Sequence, residues 1–189
     1  MGLYSRLLQT HPLLTKSITT WIVVGAGDAL AQTISSDDEI SLRRVAAMSL
    51  HGLLIQGPAL HVWFGFLERM FPGKSVQTVV SKIAAQQFLY APWNISSYTA
   101  WAAYFQASNQ PGVNAVDVAI ESAVTKLPSI WMDGNYFWVP VNLFMFGFVP
   151  VQLRPVAQNG GSIVWTAYLS YRANQQVIVR APLAAFEEI

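Results

Sequence analysis

Asp28 is the residue whose position demands most of its surroundings. It lies in the stretch 17–34, which holds no other charged residue. A carboxylate in the middle of an apolar helix costs about 2.5–3.5 kcal/mol on membrane-insertion scales, so it must face a bundle interior, a water-filled cavity or a basic partner. Gln32 follows one helical turn later on the same face. Two kinds of chemistry fit. Asp28 and Gln32 can line or gate a pore, or Asp28 can form a structural ion pair. Arg154 is the natural partner, being the one base with long uncharged stretches on both sides. The two readings are not exclusive, because an ion pair can also constrict a pore.

Gln56, His61, Gln87, Asn94 and Asn142 add neutral polar groups to otherwise apolar stretches. Gln87, Tyr90 and Asn94 recur at three and four residues and share a helix face. As a set these groups can line a hydrated path that selects by size more than by charge. For any single one, an interhelical hydrogen bond worth about 0.6 kcal/mol is the more ordinary role.

Other chemistries are excluded. His51 and His61 stand ten residues apart with Pro58 between them, which is no metal-ligand spacing on a helix. The chain has no cysteine, which removes disulfides, thiolate catalysis, iron–sulfur clusters and cysteine-based zinc sites. Gly25-Ala26-Gly27-Asp28 and Pro58-Ala59-Leu60 look like fragments of intramembrane aspartyl proteases, but that reaction needs two carboxylates sharing a proton, and no second acid lies within an apolar stretch. A net charge of +1, with no basic cluster larger than Arg43-Arg44, leaves no electrostatic case for nucleic acid. No catalytic, cofactor-binding or metal-binding residues are expected.

The elements that carry these residues follow from where charge is absent. Asp, Glu, Lys and Arg make up 11% of the 189 residues, against about 25% in soluble domains. The gaps between charges are long: 23 residues from Arg44 to Glu68, 34 from Lys82 to Asp117, 20 from Asp133 to Arg154 and 17 from Arg154 to Arg172. A bilayer core takes about 20 residues of helix. The pattern predicts an all-α, polytopic integral membrane bundle forming one domain over 1–189, with about four kinked transmembrane helices plus amphipathic interfacial helices. The stretch 1–16 reads as an interfacial lead-in, acid-free and compatible with a mitochondrial type of targeting signal. The first span covers 17–34, where Gly25/Ala29 and Gly27/Ala31 set small residues four apart for close helix packing. The second covers 45–71 and the third 79–107, kinked at Pro58 and Pro92. The stretch 113–127 places apolar residues at three-four spacing opposite Asp117, Glu121 and Lys126, which reads as an amphipathic helix at the interface. The last spanning stretches are 136–153, with Pro140 and Pro150, and 162–171.

Lysine and arginine arbitrate the span number. Four spans put Arg6, Lys16, Arg69, Lys74, Lys82, Arg172 and Arg180 on one side, seven in all, against Arg43, Arg44 and Lys126 on the other. Five spans with Arg154 in a loop give six against five. The positive-inside rule therefore favours four, with both termini on the positive side.

Landmarks spread from end to end carry a resemblance: His11-Pro12 with Thr15-Lys16; Gly27-Asp28 with Gln32; Arg43-Arg44; Gly57-Pro58 with His61 and Trp63; Lys82, Gln87 and Pro92; Trp138; Val149-Pro150 with Arg154; and Trp165 with Tyr168-Leu169-Ser170. In this order and spacing the chain resembles the peroxisomal membrane protein family of twenty-two kilodaltons, also called the Mpv-seventeen family. It departs from the family pattern at Gln86-Gln87, where an acid often precedes Gln, at Trp138-Val139-Pro140, where Trp and Pro are usually adjacent, and at Asn142 and Met145. The resemblance implies a four-span helical protein of the mitochondrial inner membrane or the peroxisomal membrane, without a catalytic centre. Some members behave as pores for small solutes. The expected function is a weakly selective pore or channel for small solutes that serves organelle homeostasis; the alternative is a non-catalytic membrane scaffold supporting a partner complex. The expected partners are the lipid bilayer, small solutes and further copies of the chain, with the mitochondrial inner membrane favoured over the peroxisome.

Overall fold

The computed structural model describes residues 3–35, 39–73, 75–148 and 154–175, and every regular element among them is helical. Helix α1 covers Leu3–Thr10. Pro12, which has no amide hydrogen to satisfy, then opens α2 (Pro12–Ser35), so the stretch 1–16 is divided between two helices. Ser41 caps α3 (Leu42–His51) by accepting from the Arg44 amide, and Ser75 caps α5 (Val76–Ala85) through the Thr78 amide. Helix α4 (Gly57–Met70) ends before Gly73, whose φ of 97° suits glycine. Helices α6 (Ala91–Ala107), α7 (Ala115–Phe148) and α8 (Arg154–Asn174) complete the chain.

The prolines act locally. A proline ring clashes with the carbonyl four residues back, and at Pro58 and Pro92 the preceding turn widens to a π-helix, Gly52–Gln56 between α3 and α4 and Gln86–Tyr90 between α5 and α6. Both units thus stay continuous. Helix α7 runs on through Pro128 and Pro140. Pro150 lies outside the described residues.

Two expectations change here. The stretch 113–127 is not a separate interfacial helix. It is the first part of the 34-residue α7, about 51 Å long at 1.5 Å per residue, and it packs upright against α6. Its small positions Ala119 and Ser122 are buried there, while Val116, Ile120 and Val124 of the apolar stripe face outward and Leu127 packs against the core.

The second change is topological. Close contacts pair α2 with α3–α4 in antiparallel fashion, since a Cβ on Gly25 would strike Ser49, one on Gly52 would strike Thr20 and one on Gly57 would strike Ser17. Trp101 Nε1 donates to Ala47 O and Trp63 Nε1 to Gln86 Oε1, which sets α3–α4 antiparallel to α5–α6. Ser122 Oγ donates to Thr99 O and Trp131 Nε1 to Gln87 O, so α7 returns along α6. Lys126 Nζ reaches Ala173 O, while Gly134 lies on Trp165, so α8 reverses again. Among the described residues the chain makes five alternating traverses, and α8 runs parallel to α2. Two bases of the lysine and arginine tally bond within the bundle: Lys126 to the carbonyls of Ala173 and Gln175, Arg172 to Asp133 and Ser129.

Buried polar groups and exposed large apolar side chains occur together in the bundle. Asp28, His51, Thr99, Ser122 and Ser170 are fully buried, whereas Val62 is 70% and Val124 67% exposed, together with Leu54, Phe64, Phe88 and Tyr136. Exposed apolar side chains in such number depart from the surface of a water-soluble fold. Val24, Met48, Ile95, Tyr98, Ile130 and Leu169 close the apolar core. By length and apolarity, one helix among the described residues, Leu42–Leu67 read through its π turn, is able on its own to cross a membrane. The other long helices carry enough Ser, Thr, Asn, Gln and Gly to lower their mean hydropathy.

Candidate functional site

Polar side chains gather in two places, and the difference between them is whether every group has a partner. Around Asp28 every carboxylate contact is made. Arg44 Nε donates to Asp28 Oδ1 at 3.0 Å, Ser170 Oγ donates to the same oxygen, and Gln32 Nε2 donates to Oδ2 at 2.9 Å. Gln32 Oε1 accepts the Ser41 amide at 2.8 Å, which ties the start of α3 to the end of α2. Beyond Ser170 the network continues through Asn174, whose Nδ2 donates to Ser170 O, to Gln106 Nε2, which donates to Asn174 Oδ1 at 2.8 Å. The cluster joins α2, α3, α6 and α8. The small residues of α2 make it possible. Gly25 faces α3, and Gly27 faces α8, where a Cβ would sit 2.7 Å from Thr166 Cγ2 and 3.0 Å from the Ala167 nitrogen. Ala31 is buried on the same helix and Ala29 half-buried.

The partner of Asp28 is thus Arg44. Arg154 opens α8, 16 residues and about 24 Å of helix before Ser170, the α8 residue that meets Asp28. The Arg154 side chain lies outside the described residues. The available signal for Arg44 was its place at the edge of a 23-residue uncharged stretch, which demanded a partner as strongly as Asp28 did. Ser170 and Ser41 carried no signal of their own.

The second place is the seam between α3–α4 and α5–α6. His51 Nδ1, Gln56 Oε1, His61 Nδ1, Tyr90 OH and Asn94 Oδ1 are buried on these helices and their π turns and have no hydrogen-bond partner among the described residues, whereas the Tyr98 hydroxyl is turned to Ser170 and the Asp28 cluster. Antiparallel pairing orders them. His51 lies against Ser97 and Tyr98, with its Nε2 3.3 Å from Ser97 Oγ, and Trp63 stacks on Tyr90 at 5.4 Å between ring centroids. The unpartnered atoms therefore lie along residues 51–61 and 90–94, about 15 Å of helix on the longer side. That is half of a bilayer core of about 30 Å. At the His51 end Met48 and Tyr98 pack in the core, and Met48 also lines a polar cavity of about 350 Å3 with Ser41, Arg43, Arg44, Gln106, Asn109 and Asn174 among others. At the other end lies an apolar groove of about 680 Å3 flanked by Pro58, Val62, Trp63, Phe66, Leu89 and Trp93.

Of the expected polar residues, Gln56, His61 and Asn94 belong to this seam. Gln87 is tied to α7 instead, donating to Asn135 Oδ1 at 3.1 Å, while its carbonyl accepts Trp131 Nε1. Gln86, which stands where the family often has an acid, accepts from Trp63. Asn142 is half-buried on α7 and belongs to neither group. A third group, Arg172 with Asp133, Tyr168 and Ser129, pins α8 to α7 and was not anticipated.

Comparison with known proteins agrees with the landmarks. Residues 114–170 match the Mpv17 / PMP22 family. The chain is 32% identical to Protein sym-1 of Neurospora crassa over 177 residues, covering 91% of this chain and 98% of that protein. It is 26% identical to Mitochondrial inner membrane protein Mpv17 of Danio rerio, covering 91% and 96%, and 27% identical to Peroxisomal membrane protein PMP22 of Arabidopsis thaliana, covering 94% and 92%. No solved structure matches. Similarity of this extent over nearly the whole length makes the chain a member of the Mpv17/PMP22 family of membrane proteins.

Proposed function

We propose that this protein is a multi-pass organelle-membrane protein whose seam between α3–α4 and α5–α6 is a narrow, weakly selective path for small polar solutes. The relatives named for the mitochondrial inner membrane and for the peroxisomal membrane support either organelle as its location, and the acid-free start of the chain favours the mitochondrion. The exposed apolar side chains of the bundle support all five traverses lying in lipid, in place of the four expected.

One observation carries the path: five buried polar atoms on α3–α4, α5–α6 and their π turns, those of His51, Gln56, His61, Tyr90 and Asn94, have no partner among the described residues. A buried polar atom left unpaired costs about 1–3 kcal/mol, and several in a row are tolerated when water or a solute supplies the missing bonds. Asp28 is not part of the path. Its carboxylate is wholly occupied, so its role is to hold four helices around the seam. Met48 and Tyr98, packed in the core at the His51 end, give the closed state.

The test is osmotic swelling of proteoliposomes in small uncharged solutes. The wild-type chain should raise glycerol and urea permeability above that of protein-free liposomes. The double variant Gln56→Leu/Asn94→Leu should return it to the baseline while leaving helical content and melting temperature intact, because it removes polar atoms that bond to nothing in the protein. Wild-type vesicles that swell no faster than empty ones, or a double variant with full permeability, would sink the proposal.

A further inference from the structure

The polar cavity at the end of the bundle has a chemistry that the solute path does not use. It forms where α3 begins and where α6 and α8 end, over a floor of Met48 and Ala102. Two arginines line it, and no acid among the described residues does. Arg43 is exposed and has no partner among the described residues. Arg44 is held differently: its Nε is fixed on Asp28 and its Nη2 lies 3.5 Å from Ser170 Oγ, which leaves Nη1 without a partner among the described residues, and the side chain remains 27% exposed. Glu39, in the preceding loop, is exposed and pairs with neither arginine. The cavity's amides are also fixed, Gln106 to Asn174 and Asn109 Nδ2 to Phe105 O at 3.3 Å.

We infer that this cavity is a binding site for a phosphate-type oxyanion, held between Arg43 and the outer edge of Arg44. Guanidinium groups bind such anions in a planar, two-pronged fashion and strongly prefer them to chloride. The Arg44 amide at the start of α3 is taken by the Ser41 cap. Asp28 anchors the inner edge of Arg44, so the guanidinium is oriented before any anion arrives and little freedom is lost on binding. The cavity lies at the level where a traverse ends. The phosphate can therefore come from solution or from a lipid headgroup, and the chemistry of recognition is the same. This inference stands apart from the solute path, because it concerns occupancy and not flux.

The experiment uses the full chain in nanodiscs. In phosphatidylcholine nanodiscs, inorganic phosphate is titrated against sodium chloride of equal ionic strength, and binding is read by calorimetry and by melting temperature. A second arm replaces part of the lipid with phosphatidylglycerol and omits phosphate. Saturable stabilisation by phosphate alone assigns a soluble anion, by phosphatidylglycerol alone a headgroup, and by both a site open to either. In each supporting case Arg43→Gln should weaken binding at least tenfold without lowering the melting temperature measured in its absence, and Arg43→Lys should restore part of it. Asn109→Asp, which sets a carboxylate at the exposed rim, should weaken binding independently. Stabilisation in neither arm, stabilisation matched by chloride, or full binding by both Arg43→Gln and Asn109→Asp overturns the site.

Discussion

The Asp28–Arg44 pair makes an asymmetric prediction, because its two members are unequally buried. At 3.0 Å and an effective dielectric of about 20, their attraction is about 5 kcal/mol. Desolvation offsets most of this, since each buried ion forfeits several kcal/mol of hydration. The pair as a whole is therefore nearly neutral in stability, while either member alone is a liability. The Asp28 side chain is 0% exposed, and that of Arg44 is 27% exposed, beside the end cavity. Arg44→Met strands a carboxylate with no water, for a loss of about 3–5 kcal/mol. Asp28→Asn strands an arginine that can hydrate through the cavity, so the loss is the forfeited charge-assisted bonds, about 1–3 kcal/mol. Asp28→Asn/Arg44→Met removes both charges and should lie closer to the wild type than Arg44→Met does. The assay is equilibrium unfolding in mixed detergent micelles, followed by circular dichroism, with the three variants arranged as a cycle. A penalty for Asp28→Asn equal to or above that for Arg44→Met would refute the unequal hydration, and additive penalties would refute the pair itself.

Two further outcomes follow from the same structure. Gly27→Ala brings a Cβ to within 3.0 Å of the α8 backbone and should cost about 1–3 kcal/mol in that unfolding assay, whereas Gly65→Ala, with nothing within 4 Å, should be neutral or slightly stabilising. The absence of native cysteine allows single-site labelling in sealed vesicles: Gln9→Cys and Gln77→Cys should react with an impermeant maleimide from one side, and Ser108→Cys and Gln175→Cys from the other. Labelling of Gln175→Cys from the same side as Gln9→Cys would restore the four-traverse arrangement.

Much of the fold was legible because it rests on local rules. Uncharged gaps marked the long helices, Pro58 and Pro92 marked the disturbed turns, and Gly25 and Gly27 marked the close crossings of α2. The nature of α7 was not legible. Its first half shows a clean amphipathic period, and periodicity says that two faces differ without saying which of them meets protein. In a soluble or interfacial helix the apolar stripe turns inward or down. Here Val116, Ile120 and Val124 turn outward, and Ala119 and Ser122 meet α6. The partner of Asp28 was misread for a related reason. Isolation between uncharged stretches singles out Arg154, but pairing depends on which helix ends coincide, and that is fixed by the number of traverses. The seam was half legible: Gln56, His61 and Asn94 stood out as polar residues, yet only their missing partners separate them from Gln87, which bonds in the ordinary way.

The odd number of traverses and the Asp28 cluster are the same fact seen twice. Asp28 lies seven residues before the end of α2, and Ser170 four residues before the end of α8. Both are thus near the C-terminal ends of their helices. Two such residues can touch only if their helices run in the same direction, and in a chain whose successive traverses alternate, that requires an odd number of traverses between them. Helices α3–α4, α5–α6 and α7 supply three intervening traverses, so α8 falls parallel to α2 and its Ser170 reaches the carboxylate. A four-traverse chain would put the far end of the last helix beside Asp28 and leave the carboxylate without its serine. The same parallel arrangement brings Asn174 and the end of α6 together over Arg44, which is what closes the end cavity around two arginines. Topology, buried charge and the basic cavity therefore stand or fall together, and the labelling of Gln175→Cys bears on all three.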